Sequence, residues 1–240
     1  MATDIYKYLS ENEYPGRGIC LASSPDGKSA FVIYFIMGRS VNSRNRIFSE
    51  IEGGIRTEAF DPSLMEDPHL IIYNPVMTSG ETCIVTNGDQ TSTIYDFYKE
   101  AKAPGFNFEA ALDTRTFEDD GPNWTPRISG IMDMKTGSFK LSILKSDDGD
   151  ESARLFNVYS FPKAKAGEGR FISTYRTNGS PLPSFTGEPM KVEICENSGE
   201  ELMEHLWASL NEDNKISLFI RQIDLSDGSY KDLIRNKYTK

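Results

Sequence analysis

The chain has 240 residues, 38% of them hydrophobic, and its 26 Lys+Arg against 36 Asp+Glu give a formal net charge of −10. This composition predicts a folded core, and the acidic balance excludes a protein whose main task is to coat nucleic acid, because that task needs a basic face. The longest apolar run, Ala30–Met37, has eight residues, far short of the roughly 20 that span a bilayer, and no secretory signal is visible, so we expect a cytoplasmic protein that does not enter membranes.

Strand patterns dominate the chain. Gly18–Ser23 and Ala30–Met37 flank the turn Ser24-Pro25-Asp26-Gly27. Its proline presets one dihedral and its glycine permits a positive φ, so the two segments predict a β-hairpin. Further predicted strands are Gly54–Ala59, Leu70–Val76, Thr82–Thr86, Arg127–Met134, Ser138–Leu144, Ala153–Ser160, Arg170–Tyr175, Lys191–Ile194 and Ile216–Ile223.

Two segments have helical periodicity. Gln90–Ala103 carries apolar residues at i, i+3, i+4 and i+7, and Gly199–Leu210 carries one continuous apolar stripe. Ser198 and Glu201 form a capping box ahead of the second helix, and a shorter helix is expected over Asn107–Asp113. Many strands with a few intervening helices predict an α+β domain whose helices cover stacked sheets.

Positive charge is concentrated in one segment. Residues 37–48 contain three arginines and no acid, directly after the most apolar strand of an acidic chain. Arginine presents a planar fork of donors that matches phosphate oxygens, and hydroxyl and amide groups add neutral donors. The segment therefore predicts a phosphate-binding loop; the alternative is a solvated loop whose arginines form weak surface pairs. Its donors are Arg39, Ser40, Arg44, Asn45 and Arg46.

Three further turns bring polar groups to the ends of strands. Tyr14-Pro15-Gly16-Arg17-Gly18 places two glycines around an arginine, so the backbone can approach a ligand while the guanidinium projects beyond it. Tyr73-Asn74-Pro75 ends one predicted strand. Thr86-Asn87-Gly88-Asp89 ends the next and leads into a helix, whose first N–H groups are free to meet a polar ligand. An ordinary turn is the alternative in each case.

An acidic segment precedes another arginine. Glu118, Asp119 and Asp120 come before a loop that passes through Thr125 and ends at Arg127. Adjacent acids raise one another's pKa, and a nearby arginine holds an acid ionised and oriented. General acid–base catalysis needs such a group. The alternative is an exposed acidic turn.

Several common catalytic devices are absent from the sequence. It has no GxxxxGK[ST] loop, no GxSxG elbow and no GxGxxG after a strand. Its histidines, His69 and His205, make no ligand pair, and the widely spaced Cys20, Cys83 and Cys195 are typical of reduced core thiols. We therefore expect no metal and no cofactor, and any catalysis to depend on Arg, carboxylate, Tyr and Asn side chains.

Taken together, these segments resemble the archaeal-type IMP cyclohydrolase family. The order and rough spacing of the motifs agree over about residues 14–176, whereas residues 181–240 resemble nothing recognised. The matching stretches are Tyr14–Ile19, Gly38–Phe48, Tyr73-Asn74, Val85-Thr86-Asn87-Gly88, Glu118–Asp120, Thr125-Pro126-Arg127-Ile128 and Thr174-Tyr175.

The resemblance implies a four-layer αββα sandwich like that of N-terminal-nucleophile hydrolases. It also implies ring closure of 5-formamidoimidazole-4-carboxamide ribonucleotide (FAICAR) to inosine monophosphate (IMP) with loss of water, the last step of purine synthesis. The expected partner is then a small-molecule nucleotide, with no nucleic acid and no membrane, and the oligomeric state is left open, a homo-oligomer included. We expect residues 1–240 to form one domain, with 181–240 packed on it.

The resemblance also implies roles for individual residues. Glu118, Asp120, Arg127 and Tyr73 are the expected catalytic residues, with Glu118 as the first candidate for proton transfer. A non-catalytic protein of the same fold that binds or senses purine mononucleotides is the alternative. The expected substrate-binding residues are Arg17, Arg39, Ser40, Arg44, Asn45, Arg46, Asn74, Asn87, Gly88 and Thr125.

Overall fold

Two seven-stranded sheets form the centre of the molecule, and a computed structural model describes residues 2–65, 72–100 and 108–239. We call them sheet A and sheet B. Sheet A contains, in spatial order, β1 (Thr3–Asp4), β12 (Met190–Glu193), β11 (Glu168–Ser173), β2 (Arg17–Ser23), β3 (Ser29–Met37), β13 (Lys215–Asp224) and β14 (Tyr230–Asn236). Sheet B contains β10 (Asp150–Phe161), β9 (Phe139–Asp147), β8 (Arg127–Asp133), β7 (Thr82–Thr86), β6 (Val76–Ser79), β5 (Gly54–Ala59) and β4 (Arg46–Ile51).

Both sheets are antiparallel except where the short strand β1 runs parallel to β12. The predicted hairpin is confirmed, because β2 pairs with β3 in the register Ser23↔Ala30. Strand β13 comes from the segment beyond residue 181, and it lies between β3 and β14 in sheet A. The C-terminal segment therefore supplies an interior strand of sheet A.

Helices cover the outer faces of the two sheets. Apolar side chains of α1 (Ile5–Glu11) and α5 (Gly199–Ser209) pack on sheet A, and those of α3 (Gln90–Glu100) and α4 (Phe108–Leu112) pack on sheet B. Among the described residues, no helix is long and apolar enough to cross a membrane. The helices are α1 (Ile5–Glu11), α2 (Val41–Arg44), α3 (Gln90–Glu100), α4 (Phe108–Leu112) and α5 (Gly199–Ser209), with a 3-10 turn at Pro62–Leu64.

The main core lies between the two sheets. Alternate residues of β3, Val32 and Tyr34 among them, face sheet B, whereas Phe31 and Ile33 face the helices on the other side. Because a strand's side chains alternate between its two faces, burial of both faces explains why β3 reads as a continuous apolar run. The packing order is helix, sheet, sheet, helix.

Several element predictions are confirmed and others are not. Ser198 caps α5 by accepting a hydrogen bond from the backbone N–H of Glu201. The expected strand Leu70–Val76 is wrong over its described part, because β6 begins at Val76, after a proline that lacks the N–H a strand ladder needs. Residues 70, 71, 101–103 and 107 of the predicted elements lie outside the described residues.

Candidate active site

Strand ends from both sheets surround a cavity of about 220 Å³. The start of β2, the end of β3, the start of β4 and the loop before β8 all meet there. The lining residues are Tyr14, Gly16, Arg17, Met37, Ser40, Asn42, Ser43, Arg46, Glu118, Asp120, Thr125 and Tyr175.

A buried ion pair forms one wall of this cavity. Nη1 of Arg17 lies 3.2 Å from Oε1 of Glu118, and both residues are 8% exposed. Burial raises the pKa of Glu118, the charges of Arg17 and Arg127 lower it, and the charge of Asp120 raises it further. A glutamate held in this way can exchange a proton at a pH above its ordinary range.

Gly16 lets the turn before β2 approach Thr174 and Tyr175 closely. Its φ of +78° is a left-handed conformation, and a Cβ at this position would overlap the side chains of Thr174 and Tyr175. The hydroxyl of Thr174 accepts a hydrogen bond from the backbone N–H of Arg17 at 3.1 Å. Only glycine allows this close approach, so the turn before β2 fixes Arg17 beside Tyr175.

Asp120, Thr125 and Tyr175 form a hydrogen-bonded chain at the cavity. Asp120 accepts bonds from the backbone N–H of Thr125 at 2.6 Å and from its hydroxyl, and that hydroxyl lies 2.5 Å from the Tyr175 hydroxyl. Burial raises the pKa of Tyr175, so its phenol stays neutral. The loop that carries these residues is closed internally, since the backbone N–H of Glu118 donates to the Thr125 carbonyl at 2.9 Å.

The same loop contains a strained backbone. Trp124 has a φ of +43°, a left-handed conformation that costs a bulky residue about 1–3 kcal/mol. Gly121 accommodates the Trp124 ring, which a Cβ there would approach within 2.8 Å. The hydrogen bonds between Asp120 and Thr125 hold the loop in this conformation and so place Glu118 and Asp120 on the same cavity.

Arg46 provides a second buried positive charge in the cavity lining. It is 4% exposed, and its guanidinium donates to two carbonyl oxygens, those of Ser43 at 2.8 Å and Met37 at 3.0 Å. Within the ranges that the structure describes, no carboxylate forms an ion pair with it. A buried charge is stabilised by a counter-charge, and Arg46 brings such a buried positive charge to the cavity lining.

Helix α2 presents its serines beside Arg46. The hydroxyl of Ser40 accepts a hydrogen bond from the backbone N–H of Ser43 at 3.1 Å. In return, the hydroxyl of Ser43 accepts one from the backbone N–H of Ser40 at 2.9 Å. This reciprocal cap fixes the single helical turn after β3. The predicted phosphate-binding loop therefore contributes Ser40 and Arg46 to the cavity.

The other two arginines of that loop lie elsewhere. Arg39 is exposed, donates to the carbonyl of Gly179 at 3.0 Å, and lies over the Tyr14 ring at 4.9 Å. Arg44 donates to the carbonyl of Gly38 at 3.0 Å and to the side chain of Asn214 at 3.1 Å. Neither of these two arginines lines the cavity.

Asn45, Asn87 and Gly88 serve the backbone around the site. Asn45 forms two hydrogen bonds of 2.7 Å with the backbone of Asp61. The side-chain amide of Asn87 donates to the carbonyl of Pro126 at 2.8 Å and accepts from the backbone N–H of Ile128 in β8. The backbone carbonyl of Asn87 accepts from the guanidinium of Arg17 at 3.3 Å. The N–H of Gly88 donates to Thr86 within the same turn.

Tyr73, Asn74 and Arg127 also lie outside the cavity lining. The hydroxyl of Tyr73 is buried, 2.9 Å from that of Tyr34. Asn74 is half-buried and its amide lies 4.0 Å from the sulfur of Met77.

Arg127 acts on the cavity from a distance. Its Nη1 pairs with Asp89 and donates to Gln90, at 2.7 and 2.8 Å, while its buried Nε has no partner in the part of the chain that the structure describes. Its positive charge lowers the pKa of Glu118.

The structure thus brings six of the predicted site residues onto one cavity: Arg17, Ser40, Arg46, Glu118, Asp120 and Thr125. Sequence reasoning did not select Tyr14 and Tyr175 as site residues, although both belong to the stretches that carry the family resemblance. Their rings stack with centroids 6.0 Å apart.

Two further features bear on the choice of site. A larger cavity of about 370 Å³ lies on the other side of the 120–125 loop, but its charged lining residues, Lys145, Asp148 and Arg176, are not buried. Buried, opposed charges favour the smaller cavity as the candidate active site. In the described ranges, no group of three or more His, Cys, Asp and Glu side chains is placed to hold a metal ion.

Comparison with known proteins identifies the family. A family model described as "IMP cyclohydrolase-like protein" matches residues 14–228, a span that includes every cavity residue. The chain belongs to this family. It is 28% identical over 179 residues to the IMP cyclohydrolase of Methanosphaera stadtmanae, covering 74% of this chain and 81% of the relative. It is 26% identical over 175 residues to that of Methanothrix thermoacetophila, covering 72% and 80%.

The matched range is longer than the sequence resemblance, which ends near residue 176. The match to residue 228 includes α5 and β13. The segment after residue 181 is thus part of the family's common sequence over most of its length. Sequence reasoning missed this because the matched part of the segment supplies α5 and the strands β12 and β13, and none of the turns on which the resemblance rests.

Proposed function

We propose that this chain is an enzyme, an IMP cyclohydrolase, which converts FAICAR to IMP and releases water. The observation that carries the proposal is a single cavity lined by the buried Glu118–Arg17 pair and by the buried guanidinium of Arg46, which has no ion-pair partner among the described residues. The two curated relatives, both named IMP cyclohydrolase, support the same reaction.

Ring closure needs a proton acceptor and a way to hold two groups of one molecule together. The carboxamide nitrogen bonds to the formyl carbon as it loses a proton, and the formyl oxygen becomes a hydroxyl. This hydroxyl then leaves as water while the formamido nitrogen gives up its proton to form the new C=N bond. Orienting the two groups supplies much of the acceleration, by entropy arguments several kcal/mol.

We assign Glu118 as the group that accepts the proton lost by the carboxamide nitrogen. Its pKa is raised by burial, which brings it closer to that of a group able to exchange protons at neutral pH. Arg17 orients the carboxylate and stabilises negative charge on the formyl oxygen, an effect worth about 3 kcal/mol for a well-placed donor. Asn87 acts through Arg17, since its carbonyl accepts from that guanidinium.

The nucleotide phosphate is expected at Arg46. A phosphate supplies the counter-charge that the described residues around Arg46 do not, and Ser40 lies on the same cavity. The Asp120–Thr125–Tyr175 chain then faces the remaining part of the substrate, and its hydroxyl groups are donors and acceptors for an imidazole carboxamide.

We also propose that residues 1–240 form one domain with the fold of N-terminal-nucleophile hydrolases. The helix–sheet–sheet–helix packing order supports the fold assignment. The insertion of β13 between β3 and β14 supports a single domain.

Incubation of purified protein with FAICAR tests the function. We expect IMP to appear in step with FAICAR loss, measured by chromatography and mass spectrometry as a product lighter by one water. Calorimetric titration with IMP is run alongside. IMP binding without turnover identifies a non-catalytic nucleotide-binding protein, and neither binding nor turnover rejects the nucleotide site itself.

A further inference from the structure

Besides the candidate active site and the larger cavity beside the 120–125 loop, another cavity of about 260 Å³, called here the second cavity, lies at the opposite end of the sheets from the candidate active site. Strand β11 connects the two: Glu168, Gly169 and Arg170 at its start line the second cavity, whereas the chain just after its end reaches Tyr175 at the first. The lining residues are Phe139, Phe161, Pro162, Lys163, Ala164, Lys165, Glu168, Gly169, Arg170 and Lys191.

Positive charge is concentrated at this second cavity. It has four cationic side chains, Lys163, Lys165, Arg170 and Lys191, and among the described residues that line it the acid is Glu168. The chain as a whole carries a formal charge of −10. A cleft lined by one sign of charge raises the local concentration of ions of the opposite sign, so this cavity attracts anions although the whole protein repels them.

An aromatic stack holds Arg170 in place. Its guanidinium lies 4.8 Å from the centroid of the Phe161 ring and donates to the carbonyl of Pro189 at 3.3 Å. The Phe161 ring in turn stacks on Phe139 with centroids 5.0 Å apart. A cation fixed over a ring loses less freedom when it binds an anion. Because Phe161 is already packed by Phe139 and Arg170, a ligand in this cavity would be bound by charge rather than by stacking on this ring.

The lysines of this cavity differ in whether their ammonium groups already bind another residue. Lys191 pairs with Glu168 at 2.7 Å, and Lys163 donates to the carbonyl of Gly27 at 2.7 Å. Lys165 forms no side-chain hydrogen bond or ion pair with the residues the structure describes. The pKa of Glu168 is lowered, first by the hydrogen bond from Lys191 and then by the charges of Lys191, Lys165 and Arg170. The positive charges of Lys191, Lys165 and Arg170 therefore lie close enough together to act on the same carboxylate.

We propose that the second cavity binds the phosphate group of a small phosphorylated molecule, at a site separate from the candidate active site. Phosphate accepts several charge-assisted hydrogen bonds at once, which suits the Arg170 fork together with Lys165. The volume admits a small molecule. The site depends only on the charges and packing around β11, so it stands whether or not the chain closes the purine ring.

Titration with ribose 5-phosphate, followed by backbone amide NMR, tests this site. We expect the amides of Lys165, Gly169 and Arg170 to shift with ribose 5-phosphate and not with ribose. Equal shifts with ribose overturn the proposal, because the phosphate would then contribute nothing. Shifts confined to Gly16, Arg17 and their neighbours also overturn it, because they locate phosphate binding at the other end of the sheets.

A charge-reversal pair gives the matched control. Lys165→Glu should weaken the binding measured at the Gly169 amide by at least about tenfold, because it turns an attraction into a repulsion. Lys99→Glu makes the same charge change at an exposed position on α3 and should leave the affinity nearly unchanged. Both lysines are exposed, so both variants should fold, which thermal unfolding checks. Equal affinities in the two variants overturn the proposal.

Discussion

Glu118 and Arg17 face each other across 3.2 Å while both are almost completely removed from solvent. Burial favours the neutral form of the carboxyl and the arginine favours its charged form, and the pKa of Glu118 is raised as the result, with Asp120 contributing to the rise. A carboxyl between two such opposing influences is suited to accept and return a proton. The first two predictions follow from this pair.

Glu118→Gln should reduce turnover of FAICAR by about 10²–10⁴-fold, the usual contribution of a general acid–base group. Affinity for IMP should change little, because glutamine keeps the shape and can still contact Arg17. The exposed neighbour Asp119→Asn is the matched control and should retain activity. Steady-state kinetics and calorimetry measure both quantities, and unchanged turnover in Glu118→Gln would remove Glu118 from the mechanism.

The pH dependence of kcat/KM should identify the same group. Glu118 accepts a proton only when ionised, so kcat/KM rises with pH through a midpoint above the ordinary glutamate pKa. Because the charge of Asp120 raises the pKa of Glu118, Asp120→Asn should move this midpoint to lower pH. Asp119→Asn should move it less. A midpoint that stays fixed or rises in Asp120→Asn contradicts the assignment of this rise in kcat/KM to Glu118.

Arg46→Met should weaken IMP binding about 10- to 100-fold, since a hydrogen bond to a charged group contributes about 1.5–3 kcal/mol. Methionine keeps much of the apolar volume, which limits damage to the packing. Arg56→Met, at an exposed position on β5, is the control for loss of one positive charge. If calorimetry finds the same IMP affinity in both variants, the phosphate lies elsewhere.

The predicted phosphate-binding loop illustrates how far a sequence can be interpreted. Its composition predicted an anion receptor, and Arg46 and Ser40 do line the cavity. The sequence could not separate Arg46 from Arg39 and Arg44, because all three lie after the same strand in a span of eight residues, 39–46. Contacts made by distant segments decide their positions: Arg44 binds Asn214, and Arg39 binds Gly179.

Asn87 illustrates a different limit. An Asn-Gly turn between a strand and a helix is typical both of a binding turn and of an ordinary one. The amide of Asn87 instead joins β7 to the chain entering β8, by bonds to Pro126 and Ile128. Strand pairing between separated segments determines this, and hydrophobic alternation predicts strands without predicting their partners.

Arg221, a charged residue fully removed from solvent, provides a prediction about stability. Arg221 of β13 is 0% exposed, and its guanidinium donates to both carboxylate oxygens of Asp232 on β14 at 2.7 Å each. It also reaches Thr78 of β6 at 2.5 Å, so it connects sheet A to sheet B. The ring of Tyr230 covers it at 3.8 Å.

Asp232→Asn should lower the free energy of unfolding by about 3–5 kcal/mol, because it leaves a buried guanidinium without its counter-charge. Arg221→Met should cost less, since it replaces the charge with an apolar side chain and lets Asp232, at the edge of the sheet, be solvated. The exposed pair Lys135–Glu81 is the control, and Glu81→Gln should cost about 0–1 kcal/mol. Urea unfolding of the three variants measures these differences. If Asp232→Asn costs no more than Glu81→Gln, the buried pair does not stabilise the contact between the sheets.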